Sequence, residues 1–203
     1  MAFLGIHIPH ETGRLLSGIE VPGTKESPSE YHITLLCFED NWAISEIAKA
    51  MKTTYDVIED EKPFLVKARS VKCFPKRDDS PAAIIAPVES KELHKLREKL
   101  AKAFDKAKIE YSKTFKDFKP HVTLAYHDEE IKKFDIDPVE WSVQELVLWG
   151  GDLGDDRLFI TFPLKTPEKH AALLSKIDMF SKLAKMDPGA VMKKSRERRS
   201  IPR

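Results

Sequence analysis

Two short stretches of this chain carry the same pair of chemically capable residues, a histidine followed two positions later by a threonine. The first is His-Ile-Thr-Leu, which begins at His32, and the second is His-Val-Thr-Leu, which begins at His121. The chain holds seven His and nine Thr among 203 residues, so a random order would place fewer than one such tripeptide. A single copy would suit a half-exposed strand histidine, but the repeated pair indicates a functional site.

The chemistry available to these residues is proton transfer and hydrogen bonding. An imidazole titrates near neutral pH, so one histidine of a pair can accept a proton while the other donates one. A threonine hydroxyl can donate a hydrogen bond to an oxygen that carries negative charge. The competing interpretation is a metal site. Each motif supplies one strong ligand, however, and the sequence has no His-Glu-x-x-His or Cys-x-x-Cys pattern.

Both stretches lie in apolar runs rich in strand-forming residues, so each is predicted to be a β-strand. Side chains alternate between the two faces of a strand. His32 and Thr34 therefore share one face, and Ile33 and Leu35 point to the other. The same alternation applies to the second stretch. The pattern directs the aliphatic residues to a core and displays the histidine and threonine on the opposite face.

The remaining elements predict a chain that mixes helices and strands. Apolar runs between turn residues predict strands at Phe3–Ile8, Phe64–Phe74, Ala82–Val88, Val139–Trp149 and Arg157–Leu164. Helical spacing predicts one helix of about 17 residues after Asn41 and another over Glu89–Ala107. Gly and Pro in residues 10–30 predict a short helical turn and then a loop. Residues 128–137 predict an acidic helix or loop that Pro138 closes.

The paired motifs resemble those that define the 2H phosphoesterases, a family that includes the 2′-5′ RNA ligase-like proteins and cyclic phosphodiesterases. Phe118-Lys119-Pro120 is similar to the aromatic-x-Pro sequence that often precedes the second motif, and the order of elements fits the family from Ala2 to Leu164. The resemblance implies an α+β fold with two pseudo-symmetric lobes of antiparallel sheet and outer helices. Each lobe would contribute one motif to a central cleft.

The resemblance also implies a phosphodiesterase that needs no metal and no other cofactor. His32 and His121 would form the general acid–base pair, and Thr34 and Thr123 would hold the phosphate oxygens. Which histidine is the base stays open. Further substrate contacts are expected from residues near the motifs: His7, Tyr31, Lys119, Tyr126 and His127.

For two of these further residues, the direction of the side chain depends on the strand that carries it. His7 shares the face of Phe3 and Gly5, so it could line the cleft or, alternatively, be a packed or surface histidine. His127 has the same parity as His121, and it would point to the same face if the strand persists that far.

Charge is distributed unevenly along the chain. Residues 165–203 hold 11 Lys and Arg against 4 Asp and Glu, a net charge of +7, whereas residues 1–164 hold 23 basic and 29 acidic residues, a net charge of −6. Because surfaces that grip long nucleic acids are usually basic, the acidic body favours an RNA terminus or a small oligonucleotide as substrate. We expect residues 1–164 to form the phosphoesterase domain.

Residues 165–203 are predicted to be a basic extension with an amphipathic helix and a disordered tail. The apolar stripe of the helix would bury against the body of the same chain, a second copy or another macromolecule, and the tail could contact nucleic acid. Cys37 and Cys73 lie in apolar runs and predict buried thiols. Without a transmembrane run or signal peptide pattern, a cytoplasmic location and no membrane partner are expected.

Three classes of function stay open at this point. The first is an enzyme for 2′,3′-cyclic phosphate ends or 2′-5′ linkages of RNA. The second is a viral or cellular enzyme that degrades small cyclic or 2′-5′ oligonucleotide signalling molecules, and the third is a non-catalytic module that binds RNA or nucleotides. Because both motifs retain His and Thr, the third is disfavoured, while nothing in the sequence decides between the first two.

Overall fold

The computed structural model describes residues 2–38, 43–76, 80–113, 117–153, 156–165 and 167–186. Within these ranges the order of elements is β1 (Ala2–His7), α1 (His10–Ser17), β2 (Thr24–Lys25), β3 (His32–Phe38), α2 (Ile44–Ile58), β4 (Phe64–Cys73), β5 (Ala82–Glu89), α3 (Lys91–Lys106), β6 (His121–His127), β7 (Phe134–Val143), β8 (Glu145–Leu153), β9 (Asp156–Pro163) and α4 (Pro167–Met186). A 3-10 turn at Pro28–Glu30 precedes β3.

The strands form two antiparallel sheets, and each sheet contains one motif strand. The first sheet has the order β3-β1-β8-β9, and the second has the order β2-β6-β5-β4-β7. Strand β3 is an edge strand of the first sheet. In the second sheet β6 is next to the edge strand β2, which has only two residues. The motif strands β3 and β6 contact each other. The predicted α+β fold with two lobes of antiparallel sheet is confirmed.

The helices pack on the sheets and on one another through apolar faces. Helix α2 contacts α3, α4 and β9, helix α3 also contacts β3, and α1 contacts β7. Helix α3 lies within the predicted range, and the Oγ of Ser90 caps its start by accepting a hydrogen bond from the backbone N–H of Leu93. Buried side chains from both sheets and all four described helices join in one cluster, which holds the two motif strands in place.

The segment of residues 10–30 is more regular than its glycines and prolines predict. It forms the eight-residue helix α1, the short strand β2 and the 3-10 turn. Gly13 lies inside α1, where a Cβ would come within 3.3 Å of the carbonyl oxygen of Pro28. Glycine at this position therefore lets the helix approach the turn that leads into the first motif, instead of breaking the helix.

Strand β7 corrects two expectations from the sequence. Pro138 does not close a loop, since β7 runs from Phe134 through it to Val143. The strand tolerates Pro138 because β7 is an edge strand and its register against β4 shifts at this point. The predicted strand Val139–Trp149 is also wrong, because the chain leaves the second sheet at Gln144 and continues as β8 in the first sheet.

The C-terminal helix α4 packs on the body of the same chain. Its buried residues Leu173, Ile177 and Phe180 belong to the main apolar cluster, and the helix contacts α2 and β9. Leu174 and Leu183, which flank the predicted stripe, are exposed. The basic tail from residue 193 onward and residues 154–155 lie outside the described residues.

Two smaller findings bear on the class of protein. No helix in the described part of the chain is long and apolar enough to cross a membrane. Cys37 and Cys73 form no disulfide in the same described part, and both are half-buried.

Candidate active site

The two motifs occupy equivalent positions in their strands. In β3 the half-buried His32 and Thr34 alternate with buried neighbours, and in β6 the half-buried His121 and Thr123 do the same. The buried neighbours are Ile33, Leu35, Val122 and Leu124. Burial of the aliphatic side chains fixes the rotation of each strand, so each histidine and threonine is displayed on the opposite face.

A β-bulge follows the threonine of the first motif. Gly5 of β1 pairs with Thr34, and the preceding residue of β1, Leu4, pairs with Leu36, so Leu35 is the extra residue of β3. Gly5 is required by this close approach, because a Cβ there would lie 2.5 Å from the carbonyl oxygen of Ile33.

The second motif has a bulge at the equivalent position. Ile85 of β5 pairs with Thr123, and Ile84 pairs with Ala125, so Leu124 is the extra residue of β6. The matching bulges give the two strands the same local shape at the same point of the motif.

The bulge in β6 overturns the expectation that His127 faces the cleft. One extra residue exchanges the faces of the residues that follow it. Tyr126 pairs with Ala83, which is on the same face of β5 as the partners of His121 and Thr123, whereas His127 falls on the opposite face. The Nδ1 of His127 instead accepts a hydrogen bond from the backbone N–H of Glu129.

Each motif histidine is held by the same hydrogen bond. His32 Nδ1 donates to the carbonyl oxygen of Glu30 at 2.7 Å, and His121 Nδ1 donates to the carbonyl oxygen of Lys119 at 2.7 Å. A carbonyl oxygen only accepts, so Nδ1 must carry the proton in both rings. The lone pair of each neutral imidazole is therefore on Nε2, which is the atom left to exchange protons.

Aromatic rings surround His32. The ring of Phe3 stacks on the imidazole with centroids 4.4 Å apart, and Trp149 lies edge-on at 5.8 Å. His7 pairs directly opposite His32 in the sheet and lies 5.9 Å from Trp149. Phe159 extends the cluster from β9 and is 48% exposed. Phe3, Trp149 and Phe159 stand opposite one another on three adjacent strands, so they share one face.

A lysine and a single aromatic ring accompany His121. Phe74 lies edge-on to the imidazole, with centroids 4.7 Å apart. Lys72 of β4 pairs with Ile85, which in turn pairs with Thr123, so Lys72 is on the same face as the motif. The first half of the site is therefore aromatic, and the second half carries a positive charge.

Burial lowers the pKa of both histidines, and the nearby charges then distinguish them. For His32 the hydrogen bond to the Glu30 carbonyl and the carboxylates of Glu26 and Glu30 oppose the effect of burial, while His7 adds to it. For His121 the bond to Lys119 opposes burial, while His32 and Lys72 add to it. The two imidazoles are thus close enough for a charge on one to act on the other.

The hydroxyls of Thr34 and Thr123 lie on the same strand faces as the motif histidines. Both threonines are half-buried, and neither hydroxyl makes a hydrogen bond to any residue that the structure describes. Each can therefore turn its O–H toward a ligand without giving up an internal bond.

The further residues predicted to contact substrate lie in different environments in the structure. Tyr31 is 1% exposed and belongs to the core, so its prediction as a substrate contact is wrong. Lys119 is exposed and holds His121 through its backbone carbonyl. Tyr126 is exposed on the motif face, and His7 lies beside His32, where its Nε2 is 2.9 Å from the carbonyl oxygen of Ser29.

Sequence reasoning missed Lys72, Trp149 and Phe159 as neighbours of the motifs. Lys72 is one of several polar residues that alternate along a predicted strand, and Trp149 and Phe159 lie in predicted strands with no motif of their own. Their positions depend on which strands pair and in which register, and a single sequence carries no direct signal for either. Among the described residues, no group of three His, Cys, Asp or Glu side chains is arranged to hold a metal ion.

Several solved structures have a similar fold. The crystal structure of TT0787 of Thermus thermophilus superposes with a TM-score of 0.66 at 21% identity, over 81% of this chain and 97% of that one. A phosphoesterase crystal structure gives a TM-score of 0.61 at 16% identity, over 81% and 98%. Escherichia coli LigT complexed with 3′-AMP gives 0.58 at 16% identity, over 81% and 98%. These likenesses establish the shared fold.

Family membership rests on a match between the sequence and a protein-family model. No curated protein matches the chain. The model of the 2′-5′ RNA ligase superfamily matches residues 23–155, which include both motifs and more than half of the chain. The protein therefore belongs to the 2′-5′ RNA ligase superfamily, a group of 2H phosphoesterases.

Proposed function

We propose that the protein is a phosphodiesterase that acts on RNA ends or small oligonucleotides through 2′,3′-cyclic, 2′-5′ or cyclic phosphodiester linkages. His32 and His121 act as the acid–base pair, and Thr34 and Thr123 bind the phosphate. The observation that carries this proposal is the matched pair of Nδ1 hydrogen bonds, which leaves an Nε2 atom on each facing motif strand for proton transfer.

The proposed reaction needs one proton acceptor and one donor. The Nε2 of His121 removes a proton from the attacking water or hydroxyl as its oxygen forms a bond to phosphorus. The Nε2–H of His32 gives a proton to the oxygen that leaves as its bond to phosphorus breaks. The hydroxyls of Thr34 and Thr123 donate to the non-bridging oxygens, where negative charge increases in the transition state. Run in reverse, the same groups would join the two ends.

The assignment of acid and base follows from the charges around each ring. Burial lowers the pKa of both, but the carboxylates of Glu26 and Glu30 favour the protonated form of His32. Lys72 and His32 favour the neutral form of His121. His121 therefore enters the reaction as the base, and His32 enters it as the acid.

The aromatic cluster supports a substrate that carries a nucleobase. The exposed edge of the cluster at Phe159 continues from Trp149 and His32, and flat aromatic surfaces bind bases by stacking. Among proteins of the same fold, Escherichia coli LigT has been crystallised with 3′-AMP, with NADP+ and with phosphate. A nucleotide with its base near Trp149 and its phosphate between the motifs fits both observations.

The deciding experiment is a substrate panel with the full-length protein. Nucleoside 2′,3′-cyclic phosphates, RNA with a 2′,3′-cyclic end, 2′-5′ oligoadenylate and cyclic dinucleotides are incubated with the wild type and with the double variant His32→Ala, His121→Ala. We expect the wild type to cleave at least one class and the double variant to cleave none. Binding of these compounds without turnover by the wild type would instead support the non-catalytic module.

Two additions test the finer parts of the proposal. Turnover should be unchanged by a chelator, and loss of activity in EDTA that zinc or magnesium restores would contradict the metal-independent mechanism. Ribose 2′,3′-cyclic phosphate, which lacks a base, should be a poorer substrate than the adenosine compound. Trp149→Ala should reduce that difference, because the stacking surface is lost.

A further inference from the structure

Lys72 is a cation on the face of the second sheet that carries His121 and Thr123. Its partner across the sheet is Ile85, whose own partner is Thr123, so the three residues stand in one row on β4, β5 and β6. Lys72 is half-buried, and no carboxylate among the described residues forms an ion pair with it. A lysine can bury its stem against the sheet and still present its ammonium to a ligand. Without a carboxylate partner among the described residues, this ammonium is available to a bound anion.

The contrast with other basic residues of the same strand supports this interpretation. Lys67, also half-buried, has its Nζ 3.8 Å from a carboxylate oxygen of Glu140. Arg69 has its Nε 3.9 Å from a carboxylate oxygen of Glu89. Both residues lie toward the other end of β4, away from Thr123. The cation nearest the motif is thus the one that lacks a protein partner in the described part of β4.

The position of Lys72 separates its role from that of the threonines. Two strand spacings lie between the backbones of Lys72 and Thr123, which is about 10 Å. The lysine side chain extends from β4 over this face, and its charge acts on His121. An anion bound by Lys72 would therefore lie next to the phosphate that Thr123 holds, and it would not be the same group.

We propose that Lys72 forms a second anion subsite, which binds a phosphate adjacent to the phosphodiester that is cleaved. This inference rests on the proposed function and narrows it. The preferred substrate is an oligonucleotide with at least two phosphates, such as RNA with a 2′,3′-cyclic end or a 2′-5′ trinucleotide. A cyclic mononucleotide fills the catalytic position and leaves Lys72 unpaired.

The test compares two substrates that have the same reacting end. Adenosine 2′,3′-cyclic phosphate has one phosphate, and the dinucleotide ApA with a terminal 2′,3′-cyclic phosphate has two. Lys72→Met should lower kcat/KM for the dinucleotide by about tenfold to a hundredfold, the worth of a hydrogen bond to a charged group. The same variant should leave the pH-independent value of kcat/KM for the mononucleotide, taken from the full pH profile, unchanged, since only the limb set by His121 moves.

Two matched variants complete the comparison. Lys72→Arg keeps the charge and should retain most of the activity on the dinucleotide. Lys67→Met removes a half-buried lysine of the same strand that is already paired, and it should behave as the wild type on both substrates. Equal losses on both substrates in Lys72→Met, or no loss on either, would overturn the proposal.

A binding experiment keeps this inference separate from the proposed chemistry. Adenosine 2′-monophosphate and adenosine 2′,5′-bisphosphate are titrated calorimetrically into the full-length wild type and Lys72→Met. The wild type should bind the bisphosphate more tightly, and the variant should bind the two compounds equally. If no substrate is cleaved but this difference is seen, the proposed catalysis fails and the subsite stands. Equal binding of both compounds by the wild type rejects the subsite.

Discussion

The two halves of the candidate site have the same local construction but different surroundings. Each has a histidine whose Nδ1 donates to the carbonyl two residues earlier, a threonine on the same face, and a bulge at the leucine that follows. Around His32 lie Phe3, Trp149 and His7, with the carboxylates of Glu26 and Glu30 acting on the ring. Around His121 lie Phe74 and the cation of Lys72.

This difference shows that a repeated motif sets the positions of its side chains but does not set the role of each histidine. The four motif residues set where two imidazoles and two hydroxyls stand. The neighbouring strands then decide which imidazole keeps its proton and which part of a ligand each half can bind. Under the proposed function, the first half binds a nucleobase and supplies the general acid, and the second half binds phosphates and supplies the general base.

The largest expected effect comes from removing either imidazole. His32→Ala and His121→Ala should each lower kcat by about 10²–10⁴, the usual worth of a general acid or base. His10→Ala, which removes an exposed histidine at the start of α1, should leave kcat unchanged. Turnover of either motif variant at the wild-type rate would contradict its assignment.

The leaving group separates the roles of the two histidines. A p-nitrophenyl phosphodiester of a nucleotide expels an anion that needs no proton. His32→Ala should therefore recover much of its lost rate on this substrate, while His121→Ala should not. The opposite pattern would exchange the acid and the base between the two halves.

Removal of a threonine hydroxyl should cost less than removal of an imidazole. Thr34→Ala and Thr123→Ala each lose one hydrogen bond to a charged phosphate, which corresponds to about tenfold to a hundredfold in kcat/KM. Thr34→Ser and Thr123→Ser keep the hydroxyl and serve as controls. If the serine variants lose as much as the alanine variants, the threonines act through packing and do not bind the phosphate.

A substitution at Gly5 should disturb one half and spare the other. The new Cβ of Gly5→Ala would lie 2.5 Å from the carbonyl oxygen of Ile33, so β1 and β3 must separate. We expect a loss of about 1–3 kcal/mol in the free energy of unfolding, typical of overpacking. Ring signals of His32 in the NMR spectrum should move while those of His121 stay. Gly18→Ala is the control, because its nearest atom is at 3.4 Å. A shift of both rings would mean that the two halves are not independent.

The smallest expected effect is a movement of the pH profile of kcat/KM. Burial lowers the pKa of both histidines. Both limbs of the bell-shaped pH profile should therefore lie at lower pH than they would for two histidines of ordinary pKa. Lys72→Met removes a cation near His121, raises its pKa and moves the acid limb to higher pH. Glu26→Gln removes a carboxylate near His32, lowers its pKa and moves the alkaline limb to lower pH. If either variant moves the other limb, the acid and base are assigned to the wrong rings.

Much of the architecture could be predicted from local patterns. The alternation in β3 and β6 and the helical spacing of α3 depend on residues that are close in sequence, and the structure agrees with these predictions. The errors arose where distant parts of the chain meet. Pro138 is tolerated because β7 is an edge strand, and the run that ends at Trp149 changes sheet at Gln144.

The same division applies to the candidate site. The sequence by itself determined which residues could transfer protons, which could bind phosphate, and that each histidine shares a face with its threonine, because side-chain chemistry and strand periodicity are local properties. The tertiary structure alone decided that Tyr31 is buried, that the bulge at Leu124 turns His127 away, and that Lys72 and Trp149 stand beside different motifs. These outcomes depend on register, bulges and strand order. They are set by which backbones pair across long separations in the chain, and no short stretch of sequence encodes them.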